Sequence, residues 1–211
     1  MKTTEKFIIT INRELGSGGR TIGEKLAARL GVKFFDKALV HELTSHFNLS
    51  VEELEKVKGK KRSWWDEKVK EYTSRYALPG TLDIEPTVAT TETVFKMETK
   101  ILKNLASEES CVIAGRSGFH IFRDEPNVLN ILILSTMSER IKRVMDKQGL
   151  SESEARAAIE KVDQGRENYM RGAADTSRYD ARNYDLILNV ARLTEDEAAD
   201  LILDYIRKQD K

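Results

Sequence analysis

Cysteine is nearly missing from this chain. Cys111 is the only one, so an internal disulfide framework is excluded and a reducing setting is favoured. Histidine is scarce too, and the three residues at 41, 46 and 120 show no zinc-binding spacing. Neither sign of charge is in excess, with 35 basic and 35 acidic residues. That removes the global positive field that would announce a nucleic acid or an anionic membrane surface. Long apolar runs are also lacking. The N-terminal FIITI ends at polar Asn12, too short for a signal-peptide core, and no later run approaches the ~20 residues of a membrane span. A soluble, cytoplasmic protein without a membrane partner is expected.

What is present suits one globular domain carrying an insertion: 211 residues, 40% hydrophobic and 33% charged. Five short apolar runs rich in β-branched residues read as buried strands: Phe7 to Ile11, Val32 to Phe35, Cys111 to Ala114, Val128 to Leu134 and Tyr184 to Val190. Between the first two, a helix from about Thr21 places Ile22, Leu26, Ala27 and Leu30 on one face and stops at Gly31. Four Ser/Thr-x-x-Glu pairs mark further helix starts: Ser50 with Glu53, Thr136 with Glu139, Ser151 with Glu154, and Thr194 with Glu197. Strands alternating with helices predict an α/β fold, a five-stranded parallel sheet flanked by helices, with its ligand crevice at the carboxyl ends of the strands.

The spacing is uneven. About 75 residues separate the second strand from the third, where a crossover needs about a dozen or somewhat more. An inserted helical lobe at 37–106 is expected, including Phe47 to Ala77, a break around Leu78 to Pro86 that contains Pro79-Gly80, and a return helix from about Thr91 to Ala106. A second insertion is expected at 151–183.

The chemistry concentrates in GSGGRT, residues 16–21, between the first strand and the first helix. Glycines let backbone N–H groups converge on an anion, and the helix that follows adds its positive N-terminal dipole. The pattern G-x-x-x-x-G-K-[ST] is nevertheless incomplete. With Gly18 as the second glycine, Arg13 stands at the first glycine position and Gly19 at the lysine position. Shifted by one, Gly19-Arg20-Thr21 reads as the ending with arginine for lysine, and Glu14 replaces the first glycine. In that register Arg20 supplies a bidentate cation for phosphate, and the Thr21 hydroxyl serves a hydrated Mg²⁺. The alternative is a tight strand-to-helix turn with an exposed Arg20. A dinucleotide-binding loop is a further rival, because Gly16-Ser17-Gly18 begins a G-x-G and Asp36 lies about 20 residues on, but position 21 is threonine rather than a third glycine.

Beyond the loop, ITINRELGSGGRTIGEKLAARLGVKFFDKALV is followed in order by CVIAGRSGFHIF, NILILSTMSERIKRV, DQGRENYMR and NYDLILNVARL. Together these resemble the cytidylate kinase-like family, a divergent branch of the P-loop nucleoside monophosphate kinases. The resemblance implies a kinase core of P-loop type, an inserted lobe at 37–106 that takes the phosphoryl acceptor, and a lid at 151–183. It implies ATP and Mg²⁺ at Gly16, Ser17, Gly18, Gly19, Arg20 and Thr21, with Thr21 toward the metal. It also implies an acceptor between Asp36 and Arg116, and catalytic roles for Arg20, Arg116, Arg166 and Arg171. The acceptor is a small molecule, with CMP or another nucleotide as the candidates; a homodimer is compatible with the family. Against the G-x-x-G-x-G-K-G-T loop of bacterial cytidylate kinases, Gly16, Gly18 and Thr21 match while Arg13 and Gly19 depart. Lys37-Ala38 and Glu42 depart from the acceptor segment, and Gly115-Arg116-Ser117 stands where those kinases have G-R-D.

Other features keep two readings each. Residues 163–183 hold Arg166, Arg171, Arg178 and Arg182 and no lysine, which suits a lid gripping phosphates or a solvated helix paired with Asp163, Glu167, Asp175 and Asp180. Arg140 and Arg143 lie near a nucleotide base by resemblance, or on a helix surface. Asp36 either orients an acceptor or caps a helix. The basic run KVKGKKRSWW at 56–65 either packs its tryptophans in the lobe or against a partner subunit, or binds RNA; nucleic acid ranks last among the partners. Cys111, opening an apolar strand, reads as a core residue rather than a nucleophile. The function expected is ATP-dependent phosphoryl transfer to a nucleotide or related small molecule, in line and without a covalent enzyme intermediate. The alternative is a catalytically silent nucleotide-binding or partner-binding protein of the same fold.

Overall fold

The computed structural model describes residues 1–36, 91–115 and 117–210. Its order is β1 (Ile8–Arg13), α1 (Gly19–Leu30), β2 (Lys33–Phe35), α2 (Thr91–Glu108), β3 (Cys111–Ala114), α3 (Gly118–Ile121), β4 (Val128–Leu134), α4 (Met137–Gln148), α5 (Glu152–Ala174), a 3₁₀ turn (Ala181–Asn183), β5 (Leu186–Asn189) and α6 (Glu195–Gln209). Most of the expected lobe, with its Ser50–Glu53 helix start and the basic tryptophan run, lies outside the described residues, as does Arg116. The expected return helix is α2.

Five strands form one parallel sheet in the order β2-β3-β1-β4-β5. The central strand β1 pairs Ile8 to Ile11 with Cys111 to Ala114 on one side and Ile8 to Arg13 with Val128 to Ile133 on the other. Alternation then divides the core. Ile9 and Ile11 face α1 and α6 with Ile22, Leu26, Ala198 and Ile202, while Ile8 and Ile113 face α2 with Ile101, Leu102 and Phe122. A central parallel strand buries both faces and therefore reads as a continuous apolar run, which is why β1 was legible. A smaller cluster of Ile141, Val144, Ala155 and Ile159 joins α4 to α5.

Helix ends follow the sequence signals closely. Thr136 accepts from the Glu139 amide, and Ser151 and Thr194 form complete capping boxes with Glu154 and Glu197. Helix α1 stops at Gly31, whose left-handed conformation (φ 66°) sends its N–H to Ala27 and Ala28. The start of α1 differs from expectation, at Gly19 rather than Thr21. Gly18 takes the left-handed conformation just before it, so the turn closes earlier. The last strand is shorter than expected, Leu186–Asn189, because Tyr184 caps the 3₁₀ turn instead.

Cys111 is fully buried between β1 and β2, and burial pushes its thiol up to about 12. A neutral, enclosed thiol is a poor nucleophile. At pH 8, iodoacetamide is expected to label Cys111 only as fast as the protein unfolds, and rapid stoichiometric labelling of the native chain would contradict this packing.

Candidate functional site

The loop between β1 and α1 is tied down at each turn. The Glu14 amide donates to the Ile133 carbonyl at 3.2 Å, extending the β1–β4 ladder by one step. The buried Ser17 closes the turn, donating both its amide and its hydroxyl to the Glu14 carbonyl. Gly16 has φ 82°, and a Cβ there would lie 2.7 Å from the Arg140 carbonyl oxygen. Conformation and space both require glycine at that point. Helix α1 starts with no side-chain cap on Gly18 and no acidic residue in its first turn, whereas α4, α5 and α6 carry Thr136, Ser151 and Thr194 as caps. Its first amides and its dipole are thus left for an anion.

Behind the loop sits a group of arginines around one carboxylate. Asp163 of α5, buried, accepts the Leu15 amide at 3.1 Å and guanidinium groups of Arg140, Arg166 (3.3 Å) and Arg178 (3.2 Å). Arg140, also buried, reaches the Leu15 carbonyl at 2.8 Å and the Glu14 carboxylate at 3.1 Å. Arg178 is only 1% exposed and donates to Asn12 Oδ1 and to the Arg13 carbonyl. Arg166 meets that same carbonyl at 3.1 Å. Among the described residues, three guanidinium groups therefore share two carboxylates, Glu14 and Asp163, an excess of one positive charge beside the glycine loop. Burial, then the neighbouring Arg178, draws the Arg166 pKa down from its ordinary value, with Asp163 opposing. That direction reports burial first and the neighbouring cation second.

Two clefts open at the strand ends. One, of about 200 Å³, is bounded by Gly16, Gly18, Gly19, Thr21 and Arg143. The other, of about 420 Å³, is bounded by Asn12, Glu98, Gly115, Phe119, Tyr169 and Met170. Arg13 and Arg166 line both. In the larger cleft the Tyr169 hydroxyl donates to Glu98 at 2.9 Å, and Ser117 Oγ contacts the Met170 sulfur at 2.7 Å.

The residues singled out from the sequence are distributed unequally. Gly16, Gly18, Gly19, Arg20 and Thr21 border the smaller cleft, with Ser17 as the buried fastener beneath. Arg20 and Asp36 are brought together: Arg20 Nε donates to Asp36 Oδ2 at 2.7 Å, and Nη2 lies 3.0 Å from Glu24. Arg20 is 58% exposed while Asp36 is buried. Arg166 sits at the clefts, but Arg171 is exposed and pairs with Glu167 at 2.7 Å, away from the cleft-lining residues. Arg182 likewise pairs with Asp180 on the surface. Of the two arginines after β4, Arg140 is buried in the core of the site and Arg143 pairs with Glu195.

Sequence reasoning missed Asp163 as the hub, and with it Arg13, Glu98 and Tyr169. A signal for Asp163 was present. On α5 the buried positions are Ala155, Ile159, Asp163 and Met170, so the carboxylate falls on the apolar stripe at helical spacing. A charge there needs a partner.

The likeness to known proteins agrees with this geometry. A curated cytidylate kinase from Sulfolobus acidocaldarius is 22% identical over 203 residues, covering 95% of this chain and 94% of that protein. A uronate isomerase from Corynebacterium glutamicum is 30% identical over 104 residues, 49% of this chain, and the chain spans only 20% of that protein's length. Among solved structures, an uncharacterized protein from Eubacterium ventriosum superposes with a TM-score of 0.65 at 27% identity, covering 97% of this chain and 99% of that one. A shikimate kinase from Bacteroides thetaiotaomicron gives 0.52 at 14% identity over 96% and 99%. That second likeness is one of fold, the parallel sheet and flanking helices of the P-loop kinases. The model of the cytidylate kinase-like family matches residues 8–192, the span from β1 through β5 that carries every cleft residue above, and the chain belongs to that family.

Proposed function

We propose that this protein transfers the γ-phosphoryl group of ATP to a nucleotide or related small molecule. The excess of positive charge behind the glycine loop, counted among the described residues, carries the reading. Two carboxylates against three guanidinium groups leave a standing demand for an anion beside uncapped helix amides. A triphosphate in the smaller cleft meets that demand, and the cleft residues fit it: left-handed Gly16 and Gly18, the first amides of α1, and cations on two sides. Mg²⁺ bound with the nucleotide would be held by the Thr21 hydroxyl, and it would offset charge on the β- and γ-phosphates. The larger cleft takes the acceptor. Its aromatic and apolar walls, Phe119, Tyr169 and Met170, suit a planar ring, and Glu98 supplies a carboxylate. The name of the archaeal relative makes CMP one acceptor to test.

Phosphoryl transfer asks for positioning and charge neutralisation more than for covalent chemistry. The acceptor oxygen bonds to the γ-phosphorus as the bond to the bridging oxygen breaks, and the electron pair leaves with ADP. Arg166, shared by both clefts, stands where that charge moves. Arg116 and the lobe at 37–106 belong to the acceptor side in this proposal, and 151–183 to the lid. A silent nucleotide-binding protein is the second reading, favoured by one observation: position 19 holds no lysine, and Arg20 is engaged by Asp36 and Glu24.

Two experiments follow. Mg-dependent ADP release from ATP is expected with at least one acceptor among CMP, dCMP, UMP, AMP and a nucleoside panel, with no phosphoenzyme trapped by labelled ATP. ATP binding without turnover for any acceptor would move the protein to the silent reading. Replacing Asp163 by Ala should take from Arg166 and Arg178 their carboxylate and leave Arg140 with Glu14 alone, at a cost of about 3–5 kcal/mol of stability, as breaking a buried ion pair does, with Asp163→Asn milder. A denaturant midpoint unchanged in Asp163→Ala would remove Asp163 from the centre of the site.

A further inference from the structure

A phosphate-binding loop without its lysine still needs a cation against the β- and γ-phosphates, and the backbone shows from which side one can come. Gly19 is the first residue of α1. A Cβ placed there would lie 2.6 Å from Arg13 Cβ and 3.0 Å from Arg13 Cγ. The obstruction is the stem of Arg13, held by its own backbone, not a flexible tip. Any side chain at 19 therefore collides with any side chain longer than glycine at 13. The two positions exclude each other, and they are the two at which the loop departs from its pattern, arginine standing for the first glycine and glycine for the lysine.

Arg13 is also the better placed cation. Its amide donates to Asn12 Oδ1 at 2.9 Å, its carbonyl accepts from Arg166 and Arg178, and its Cα pairs with Ile133 in the ladder. The stem thus leaves a fixed base at the end of the central strand. The guanidinium runs across Gly19 to Gly115, where a Cβ would lie 1.8 Å from Arg13 Nη1. That path lies between the two clefts, and Arg13 lines both of them. Arg20 lines the smaller cleft and not the larger, and turns to Asp36 and Glu24.

We infer that Arg13 performs the task of the missing lysine: its guanidinium, delivered from β1 across Gly19, binds the phosphate chain of the nucleotide at the point where the γ-phosphoryl passes from one cleft to the other. This rests on the phosphate-binding reading of the loop and names the group that completes it. Arg13 forms no bond to phosphorus and moves no proton; it neutralises charge that develops on the bridging and γ oxygens. The arginine at 13 and the glycine at 19 are one compensated exchange.

The test is calorimetric binding of ATP and of inorganic tripolyphosphate to the native chain and to folded Arg13→Gln, Arg13→Lys, Gly19→Lys, and the double change Arg13→Gly with Gly19→Lys. Arg13→Gln is expected to weaken both ligands roughly ten- to hundredfold, the range of a charge-assisted hydrogen bond, and Arg13→Lys should lose less. Gly19→Lys alone should lower the unfolding temperature, and the double change should recover both stability and tripolyphosphate affinity. Arg13→Gln binding tripolyphosphate as tightly as the native chain overturns the assignment, as does Gly19→Lys proving as stable as native. If the native chain binds neither ligand, the phosphate site itself falls and the role of Arg13 falls with it; native binding that survives the loss of Arg13 leaves the site standing and overturns Arg13 alone.

Discussion

The carboxylate of Asp163 is the point on which the site depends. An ionised group buried this far is costly unless its lone pairs are filled by donors, and Asp163 receives four: the Leu15 amide and the guanidinium groups of Arg140, Arg166 and Arg178. Those donors come from the glycine loop, from α4, from α5 itself and from the segment before β5. A single side chain thereby sets the distance between the loop and every element beneath it. Arg140 closes the same knot from the other side through the Leu15 carbonyl and Glu14. The loop's backbone conformation is consequently imposed by ion pairs as much as by its glycines.

Charge and shape then reinforce each other. Among the described residues the knot holds more guanidinium than carboxylate, which favours an anion at the loop. Helix α1 offers it a place, since its first turn contains neither a side-chain cap nor an acid. A capping Ser or Asp at position 18 would have engaged those amides, and the left-handed φ of 80° at Gly18 disfavours any side chain there. Charge and backbone conformation at Gly18 thus favour the same occupant.

The sheet, the helix starts and the order of elements were legible because each rests on a local pattern: apolar runs for buried parallel strands, Thr136, Ser151 and Thr194 three residues before glutamates for helix starts, Gly31 for a helix stop. The glycine loop was legible as a tight strand-to-helix turn for the same reason. The arginines were not, because their roles are set by contacts far apart in sequence. Arg140 and Arg178 both read as surface or lid residues and both are buried, since the partner that draws them in, Asp163, sits on a different element from Arg140. Arg171, read together with Arg166, has the composition of a phosphate grip but the surroundings of an intrahelical pair with Glu167. Arg13 and Gly19 looked like two unrelated failures of a motif. Only the 2.6 Å approach between them shows that one requires the other.

The knot also constrains how any lid could work. Residues 151–183 lie on one long helix and the turn after it, and that helix is anchored at Asp163 to the loop and at Ile159 and Ala155 to α4. Swinging the whole of α5 away from the loop would break the bonds from Asp163 to the Leu15 amide and to Arg140 of α4, leaving Arg140 with Glu14 alone while Arg166 travels with its own helix, at the cost of a buried ion pair. Movement confined to the part of α5 beyond Arg166 keeps the bonds of Leu15, Arg140 and Arg166 to Asp163 in place. That part carries Tyr169 and Met170 over the larger cleft and Arg171 in solvent. Access to the larger cleft can therefore change while the glycine loop stays fixed, which in the proposed reaction would separate acceptor exchange from nucleotide grip.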